Sequence, residues 1–397
     1  MRIWISGGER TSGSGKMLRV KLLRSLVALM VLCVLAVWLV PQVRVGLLTV
    51  LLAPHFFPGA LPRPLVWATP RPEVGTAVIP GTEGHVVADV YRPAGCDRCP
   101  AMILFLGVNP LPRSDPQVTT LAEGIARTGI VTVVAEARPL LEGNIHPDAV
   151  GDLVTVFQWV EQDGDVDPNH IGFAGFCIGA VLEILAAEDE RIADHVAYVN
   201  AFSVYADAMD LLRAILTESQ PGPNGAEPWM PSDLTKMVFF RHMIGLLQSE
   251  SDRLVLSQAL LEQRAAPLDP AALSPQGGRM LALLRSSSPD EVNRFLATLP
   301  PNDLAALNSL SPARRADRLR AHVFLMHDVD DTYLPVAGAR QLAASLPPAA
   351  RVRFTEFELF SHVVPGRVEH PVKFMGEMVK LLSHIYGVML VAHGLAD

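Results

Sequence analysis

Short apolar runs alternate with amphipathic stretches over much of the chain after residue 73. Uninterrupted apolar runs are typical of strands buried on both faces of a sheet, and apolar positions three or four residues apart are typical of helices. The predicted strands of the first block lie at residues 74–80, 85–92, 101–106, 130–135, 171–174 and 195–201. Helical patterns at residues 118–127, 148–162 and 180–187 separate most of them. This alternation predicts an α/β protein with a mostly parallel sheet and helices on both faces.

The alternation stops between residues 206 and 318, where we find no convincing strand and only helical patterns, for example at residues 234–247 and 254–263. Strands are predicted again at residues 322–326 and 351–359, with helices at 336–344 and 370–393. The sequence therefore predicts a core of residues 74–205 and 319–397, interrupted by a helical cap over residues 206–318. Such an insertion covers the carboxyl ends of parallel strands, where sites form in open α/β sheets.

The N-terminal part of the chain has a different pattern. Nineteen residues from Ser25 to Val43 carry no charge, and residues 1–24 contain six basic residues against one acidic residue. This length crosses a bilayer core, and basic residues stay on the cytoplasmic side. Residues 25–53 are thus predicted as a membrane anchor, with the C-terminal bulk of the chain outside the cytoplasm. A cleaved signal peptide, which would give a secreted protein, and a start at Met17 stay open.

Composition limits the other function classes. Half of the residues are hydrophobic, and the net charge is −8 even though the N-terminus is basic, so the remainder is acidic. An acidic domain without a basic stripe disfavours nucleic-acid binding. The Pro-rich residues 54–73 are predicted to be a linker. Cys96 and Cys99 form either a local disulfide or two unpaired loop thiols, and the lack of a second cysteine pair disfavours zinc.

One predicted strand-to-helix turn has the sequence Gly175-Phe176-Cys177-Ile178-Gly179. In Gly-x-Ser-x-Gly elbows the central residue has a strained backbone that lifts its side chain above the sheet, and the glycines avoid collisions with neighbouring elements. Here cysteine replaces serine. The Ile178 N–H lies at a helix N-terminus, which favours an anion. A second N–H, from Gly107 or Val108, would complete an oxyanion hole.

A carboxylate and an imidazole follow the later strands. Asp331 precedes Leu334-Pro335, a spacing typical of the acid-bearing loop in this kind of site, with Asp330 and Asp328 as alternatives. His362 comes just after the last predicted strand, whereas His370, His384 and His393 fall in the final helix. The order Cys177, Asp331, His362 is nucleophile, acid and base.

These motifs resemble the α/β-hydrolase superfamily over residues 74–201 and 321–387, and the Gly-x-Cys-x-Gly elbow is most similar to the dienelactone hydrolase branch. The resemblance implies a Cys-His-Asp triad that hydrolyses esters or lactones without metal or cofactor. The cap and the membrane segment depart from that branch, and the loop at Gly107 has no acidic residue like the one beside the family's resting thiol. A dienelactone substrate is therefore not carried over.

Two alternatives stay open. Polyhydroxyalkanoate synthases use the same elbow, so an acyltransferase could form the same acyl-cysteine, and a catalytically inactive binding protein could keep the fold. The expected partners are a small ester or acyl substrate and the membrane, and the oligomeric state is not determined by the sequence. Phe239 and Phe240 in the cap are candidate contacts for an apolar acyl chain.

Overall fold

The computed structural model describes residues 12–57, 59, 62–82, 84–108, 112–136, 138–145, 148–261, 268–362, 364–366 and 370–396. An eight-stranded sheet forms its centre. Its strands are β1 (Glu73–Gly81), β2 (Gly84–Arg92), β3 (Cys99–Phe105), β4 (Val131–Glu136), β5 (Val166–Phe176), β6 (Val196–Phe202), β9 (His322–Asp328) and β10 (Arg353–Phe357). Two hairpins lie outside it: β7 (Ser219–Gly222) with β8 (Gly225–Pro228), and β11 (Phe360–Ser361) with β12 (Val364–Pro365).

The spatial order of the sheet is β1-β2-β4-β3-β5-β6-β9-β10. β2 is antiparallel to both of its neighbours, and the other pairs are parallel. The carboxyl ends of β3, β5, β6, β9 and β10 therefore meet at one edge, which is where open α/β sheets bind ligands. The predicted mostly parallel α/β sheet is confirmed.

Helices surround the sheet. They are α1 (Ser12–Leu39), α2 (Pro41–Leu52), α3 (Pro64–Ala68), α4 (Pro116–Ala126), α5 (Arg138–Leu141), α6 (Asp148–Glu161), α7 (Ile178–Ala187), α8 (Ala208–Thr217), α9 (Asp233–Gly245), α10 (Glu250–Leu260), α11 (Pro275–Arg285), α12 (Pro289–Ala297), α13 (Pro301–Ser309), α14 (Val336–Ser345) and α15 (Pro371–Ala392). Short 3₁₀ turns cover Ala53–Phe56, Pro270–Ala272, Pro312–Arg314, Ala316–Arg318 and Pro348–Ala350.

Successive residues of the central strands belong to two different cores. On β3, Ile103 and Phe105 pack with α6 and α7, while Met102 and Leu104 pack with α4 and α15 on the opposite face. This is the two-residue period of a strand whose faces are both covered. Every residue of α7 is buried, which fits its position directly behind the elbow strand.

The insertion between β6 and β9 is mainly helical and contains α8 to α13. It also contains the β7–β8 hairpin, so the prediction of no strand in this region was wrong. The strands have four residues each, and Gly225 at the turn has a φ of 116°. Glycine is favoured at such a position because it has no Cβ to collide in this backbone conformation.

The N-terminal region contains an apolar helix of membrane-spanning length. Residues Lys21–Leu39 of α1 have a mean hydropathy of 2.5 and no buried share, whereas α15, which also has such a length, is 39% buried and packs on the sheet. Residues 1–11 of the predicted basic terminus lie outside the described residues. After α1 the chain turns at Val40, where the backbone is extended, and α2 packs against α15.

The predicted linker over residues 54–73 is packed on the domain where the structure describes it. Leu65 is fully buried. The Arg127 guanidinium donates to the carbonyl oxygens of Thr69 at 2.7 Å and Pro70 at 2.9 Å, and it also pairs with Glu123 at 2.7 Å. The high proline content therefore belongs to an ordered segment rather than to a free spacer. Cys96, in the loop before β3, and Cys99, the first residue of β3, are joined by a disulfide.

Candidate active site

The turn after β5 has the geometry that the Gly-x-Cys-x-Gly sequence predicts. Cys177 has φ 55° and ψ −135° at the N-cap of α7, a region that non-glycine residues rarely occupy. A Cβ on Gly175 would lie 2.2 Å from Glu183 Oε2, and a Cβ on Gly179 would lie 2.7 Å from the carbonyl carbon of Leu106. Both glycines are therefore required by close approach, and the thiol at the tip is partly exposed.

The loop after β3 lies against this elbow. A Cβ on Gly107 would be 2.7 Å from the Phe176 carbonyl oxygen and 3.5 Å from the Ile178 nitrogen. Gly107 and Ile178 thus bring their backbones together beside the Cys177 side chain. Val108 follows and also lines the cavity in front of the thiol. Two backbone donors at this point are what an oxyanion hole needs.

Asp331 lies in the turn after β9 and is 1% exposed. Its Oδ2 accepts hydrogen bonds from His362 Nδ1 at 2.8 Å and Ser203 Oγ at 2.6 Å, while Oδ1 accepts from the backbone N–H groups of Tyr333 at 2.7 Å and Leu334 at 3.3 Å. Burial alone would raise the pKa of Asp331, but the bond from His362 and the nearby charges hold it below its usual value. The carboxylate is therefore negatively charged, and both of its oxygens accept hydrogen bonds.

The two alternative carboxylates have other surroundings. Asp328 is buried and accepts from the Phe360 N–H at 2.7 Å, which ties β9 to the strand that leads to His362. Burial raises the pKa of Asp328 to about 6. Asp330 is exposed. Of the three, the structure brings Asp331 to the imidazole.

His362 follows β11 and connects the other two residues. Its ring bonds Asp331 through Nδ1, lines the same cavity as Cys177, and stacks on Tyr333 with ring centroids 4.3 Å apart. Its side chain is 11% exposed. Burial lowers the pKa of His362, but the neighbouring Cys177 and the bond to Asp331 outweigh this effect and raise it to about 10. Its backbone φ of 58° is also strained.

Ser203 is a site residue that sequence reasoning missed. It follows β6, has a φ of 60° and is fully buried. Besides its bond to Asp331, its Oγ lies 3.2 Å from His362 Nδ1. The sequence feature that could have identified Ser203 is its place as a polar residue directly after a buried strand. That strand ends at the same edge of the sheet as the elbow strand.

The remaining histidines near the last helix are separate from this constellation. His384 is buried between Thr355 and Asn200, and burial lowers its pKa to about 3. Burial likewise lowers the pKa of His393, to about 4. His370 is exposed at the N-cap of α15.

A cavity of about 690 Å³ opens in front of Cys177 and His362. Its walls are mostly apolar and come from the cap, from α4 and α15, and from the segment before α3. Phe239 lines it together with Val238, whereas Phe240 packs against the main hydrophobic core and is not among the lining residues. Within the described residues, no group of three His, Cys, Asp or Glu side chains could hold a metal ion.

The chain matches no family model and no curated protein. Several solved structures are similar to it. A 2,6-dihydroxy-pseudo-oxynicotine hydrolase aligns over 82% of this chain and 69% of its own, with 13% identity and a TM-score of 0.49. An esterase from Pyrobaculum calidifontis aligns over 89% and 92%, with 18% identity and a TM-score of 0.45. Est1E from Butyrivibrio proteoclasticus aligns over 78% and 99%, with 12% identity and a TM-score of 0.42.

The strand order and the elbow carry the fold assignment by themselves. The mostly parallel sheet presents a strained residue between β5 and α7, and the loops after β9 and β10 bring a carboxylate and an imidazole to it. This sequence of elements defines the hydrolase sheet with its elbow. The chain therefore has the α/β-hydrolase fold.

Proposed function

We propose that this protein hydrolyses carboxylic esters or thioesters through a covalent intermediate on Cys177. The observation that carries the proposal is the position of the His362 ring, which bonds the buried Asp331 through Nδ1 and lines the same cavity as Cys177. A nucleophile, a base and a residue that orients the base are the three parts of nucleophilic catalysis at a carbonyl.

His362 is the base. It takes the proton of the Cys177 thiol, which leaves an imidazolium with a pKa of about 10 beside the Cys177 thiolate. The thiolate is the nucleophilic form of cysteine. Asp331 keeps its negative charge because its pKa is lowered, so it orients the ring and stabilises the cation.

Acylation begins when the Cys177 sulfur forms a bond to the substrate carbonyl carbon. The carbonyl π electrons move to the oxygen, and the N–H groups of Ile178 and of Gly107 or Val108 stabilise the resulting oxyanion. One lost donor of this kind typically costs about 3 kcal/mol of transition-state stabilisation. The tetrahedral intermediate then collapses, the bond to the alcohol or thiol breaks, and the leaving group takes the proton of His362.

Deacylation returns the site to its starting state. Neutral His362 removes a proton from a water molecule, whose oxygen attacks the thioester carbonyl carbon. The second oxyanion forms in the same hole. Its collapse breaks the bond to sulfur and releases the acid, and His362 returns its proton to the sulfur.

The cavity supports the proposal that the larger part of the substrate is an apolar acyl chain. Its walls are mostly apolar, and each buried methylene contributes about 0.8 kcal/mol. A small polar lactone would leave most of this surface without a partner. The proposal is therefore an esterase of apolar acyl groups, on a dienelactone hydrolase-like cysteine elbow.

Acyl transfer is the second candidate. A thioester held in a mostly apolar cavity meets less water than one in an open cleft, so an alcohol acceptor could compete for the acyl group. Addition of a primary alcohol during turnover distinguishes the two activities, since a transferase forms new ester faster than free acid.

We also propose that α1 anchors the protein with the catalytic domain outside the cytoplasm. The apolar part of α1 and the basic residues that precede this apolar part support this orientation. The Cys96–Cys99 disulfide supports an oxidising compartment. A cleaved signal sequence would give the same compartment without the anchor.

The test is an intact-mass experiment with nitrophenyl esters of increasing chain length. We expect one acyl group on the wild-type protein and none on Cys177→Ala, with steady-state turnover reduced to the uncatalysed level. Cys33→Ala is the matched control, because it removes the other cysteine outside the disulfide and should still be acylated. Acylation of Cys177→Ala, or retention of more than a few per cent of its activity, would remove Cys177 as the nucleophile.

A further inference from the structure

Part of the cavity wall comes from the N-terminal segment of the chain. His55, Phe56 and Phe57 follow directly after α2 and line the same cavity as Cys177 and His362. Because α2 follows α1, the segment that joins the apolar N-terminal helix to the domain is also a wall of the candidate active site.

This wall is firmly attached to the domain. Val45 and Leu52 of α2 are buried against the core, and the Tyr386 hydroxyl on α15 donates to the Gln42 carbonyl oxygen at 3.2 Å. The His55 ring occupies the space beside Gly124 on α4, where a Cβ would be 2.6 Å from the His55 Cγ. The segment therefore has a fixed position relative to the catalytic residues.

The other side of α2 is apolar and exposed. Val43, Leu47 and Val50 lie four and three residues apart, so they share one stripe of the helix, and their exposures are 43%, 43% and 53%. Trp67 on the neighbouring α3 is 77% exposed. An exposed apolar stripe with a tryptophan is typical of helices that lie at a membrane–water interface.

Chain continuity identifies the occupant of this surface. Only Val40 separates α2 from α1, and its extended backbone lets α2 leave the α1 axis. If α1 crosses a bilayer, α2 begins within a few residues of the headgroups, at about 1.5 Å per helical residue. A bilayer crossed by α1 would therefore lie against the exposed stripe of α2.

We propose that the stripe Val43, Leu47 and Val50, together with Trp67, docks on the bilayer, and that the substrate is an acyl ester of a membrane lipid. Its chain passes from the bilayer into the cavity along His55 to Phe57, and its carbonyl carbon reaches Cys177. The products are the fatty acid and the alcohol of the headgroup part. The chemistry rests on the proposed hydrolysis at Cys177, and the docking rests on the proposed membrane anchor α1.

Docking is tested with the full chain reconstituted in phosphatidylcholine vesicles, with or without bromine at fixed acyl-chain positions. The fluorescence of Trp67 is obtained as the difference between wild type and Trp67→Phe. We expect brominated lipid to quench this difference signal, most strongly with bromine near the headgroup end. An equal difference signal in both kinds of vesicle would overturn the docking, whatever the enzyme's activity.

Lipid access is tested by two substrates on the same vesicles. The double variant Leu47→Gln, Trp67→Gln should lose about tenfold in turnover of a vesicle-embedded lipid ester, equal to about 1.4 kcal/mol. Its turnover of a soluble short-chain nitrophenyl ester should stay within about twofold of wild type, because neither residue touches the site. Leu254→Gln, an exposed apolar position on the cap helix α10, is the matched control and should leave both rates unchanged.

The outcomes separate the two proposals. Equal loss of both activities in the double variant, or no loss of either, would overturn lipid access. A wild-type protein that turns over the soluble ester but no lipid ester would overturn lipid access and leave the hydrolase intact. No acylation of Cys177 by any ester would remove the hydrolase, with the Trp67 quenching still measurable.

Discussion

Replacement of Asp331 by asparagine tests the orientation of the base. The Tyr333 and Leu334 N–H groups bind Oδ1, and Ser203 and His362 bind Oδ2. If the asparagine oxygen stays on the backbone donors, its NH₂ group faces His362. His362 Nδ1 then loses the acceptor of its hydrogen bond. A hydrogen bond to a charged group is worth about 1.5–3 kcal/mol. At tenfold per 1.36 kcal/mol, acylation should slow by about 10- to 150-fold.

The assay is single-turnover acylation of Asp331→Asn by an alkyl ester, followed by intact mass over a range of about five pH units, from about pH 6 to about pH 11, around the histidine titration. An alkoxide, unlike nitrophenolate, needs a proton to leave. His362 must be protonated to supply the leaving group, so acylation should fall as pH rises through its pKa of about 10. Loss of the Asp331 charge removes a cause of that raised pKa, so the fall should move to lower pH. Asp330→Asn is the matched control and should change neither rate nor profile, because Asp330 is exposed. Equal effects of the two substitutions would refute the assignment of Asp331.

Three further predictions follow from burial and close approach. Gly179→Ala places a Cβ against the backbone of the loop at residues 106–107. Acylation should slow about 100-fold, while the circular dichroism spectrum stays unchanged. A wild-type rate of acylation would disprove the proposed oxyanion site. The kcat/KM for nitrophenyl esters of medium chain length should exceed that for acetyl esters by at least about tenfold. Phe239→Ala should reduce this preference, whereas Phe240→Ala should leave it unchanged. Equal effects of the two substitutions on the preference would exclude Phe239 as a contact of the acyl chain. Burial raises the pKa of Glu188 from 4.5 to about 8, so the native state binds the proton more tightly than the unfolded state. The free energy of unfolding should therefore fall as pH rises between these two values, by on the order of 1 kcal/mol per pH unit. In denaturant unfolding, Glu188→Gln should show a weaker dependence of this free energy on pH, and the same dependence as in wild type would contradict the burial argument.

Short sequence patterns predicted much of the candidate site, because several of the residues that the site needs lie within a few positions of each other. The elbow needs small residues at two fixed positions around a strained one, and that need is written in five consecutive residues around Cys177. Asp331 precedes a recognisable Leu-Pro pair, and His362 follows an apolar strand. The roles of these residues in catalysis stay predictions.

Other parts depend on contacts between distant segments, which no local pattern records. Ser203 joins the site because β6 and β9 are neighbours in the sheet, so that its hydroxyl meets a carboxylate 128 positions later. The β7–β8 hairpin was missed because four-residue strands give too little alternation to distinguish from a loop.

The apolar periodicity of the chain by itself indicated the strands of the central sheet and most of the helices, because burial of a strand or helix face depends on residues that are adjacent or one turn apart. The glycine spacing around Cys177 indicated the elbow. Only the tertiary structure decided which segments enclose the cavity. Residues 54–73 have the composition of a linker, yet Leu65 is buried, Arg127 holds the backbone of this segment, and Phe57 lines the cavity. The energy of such packing comes from surfaces that meet after folding, and a proline-rich sequence does not show which surface it will meet.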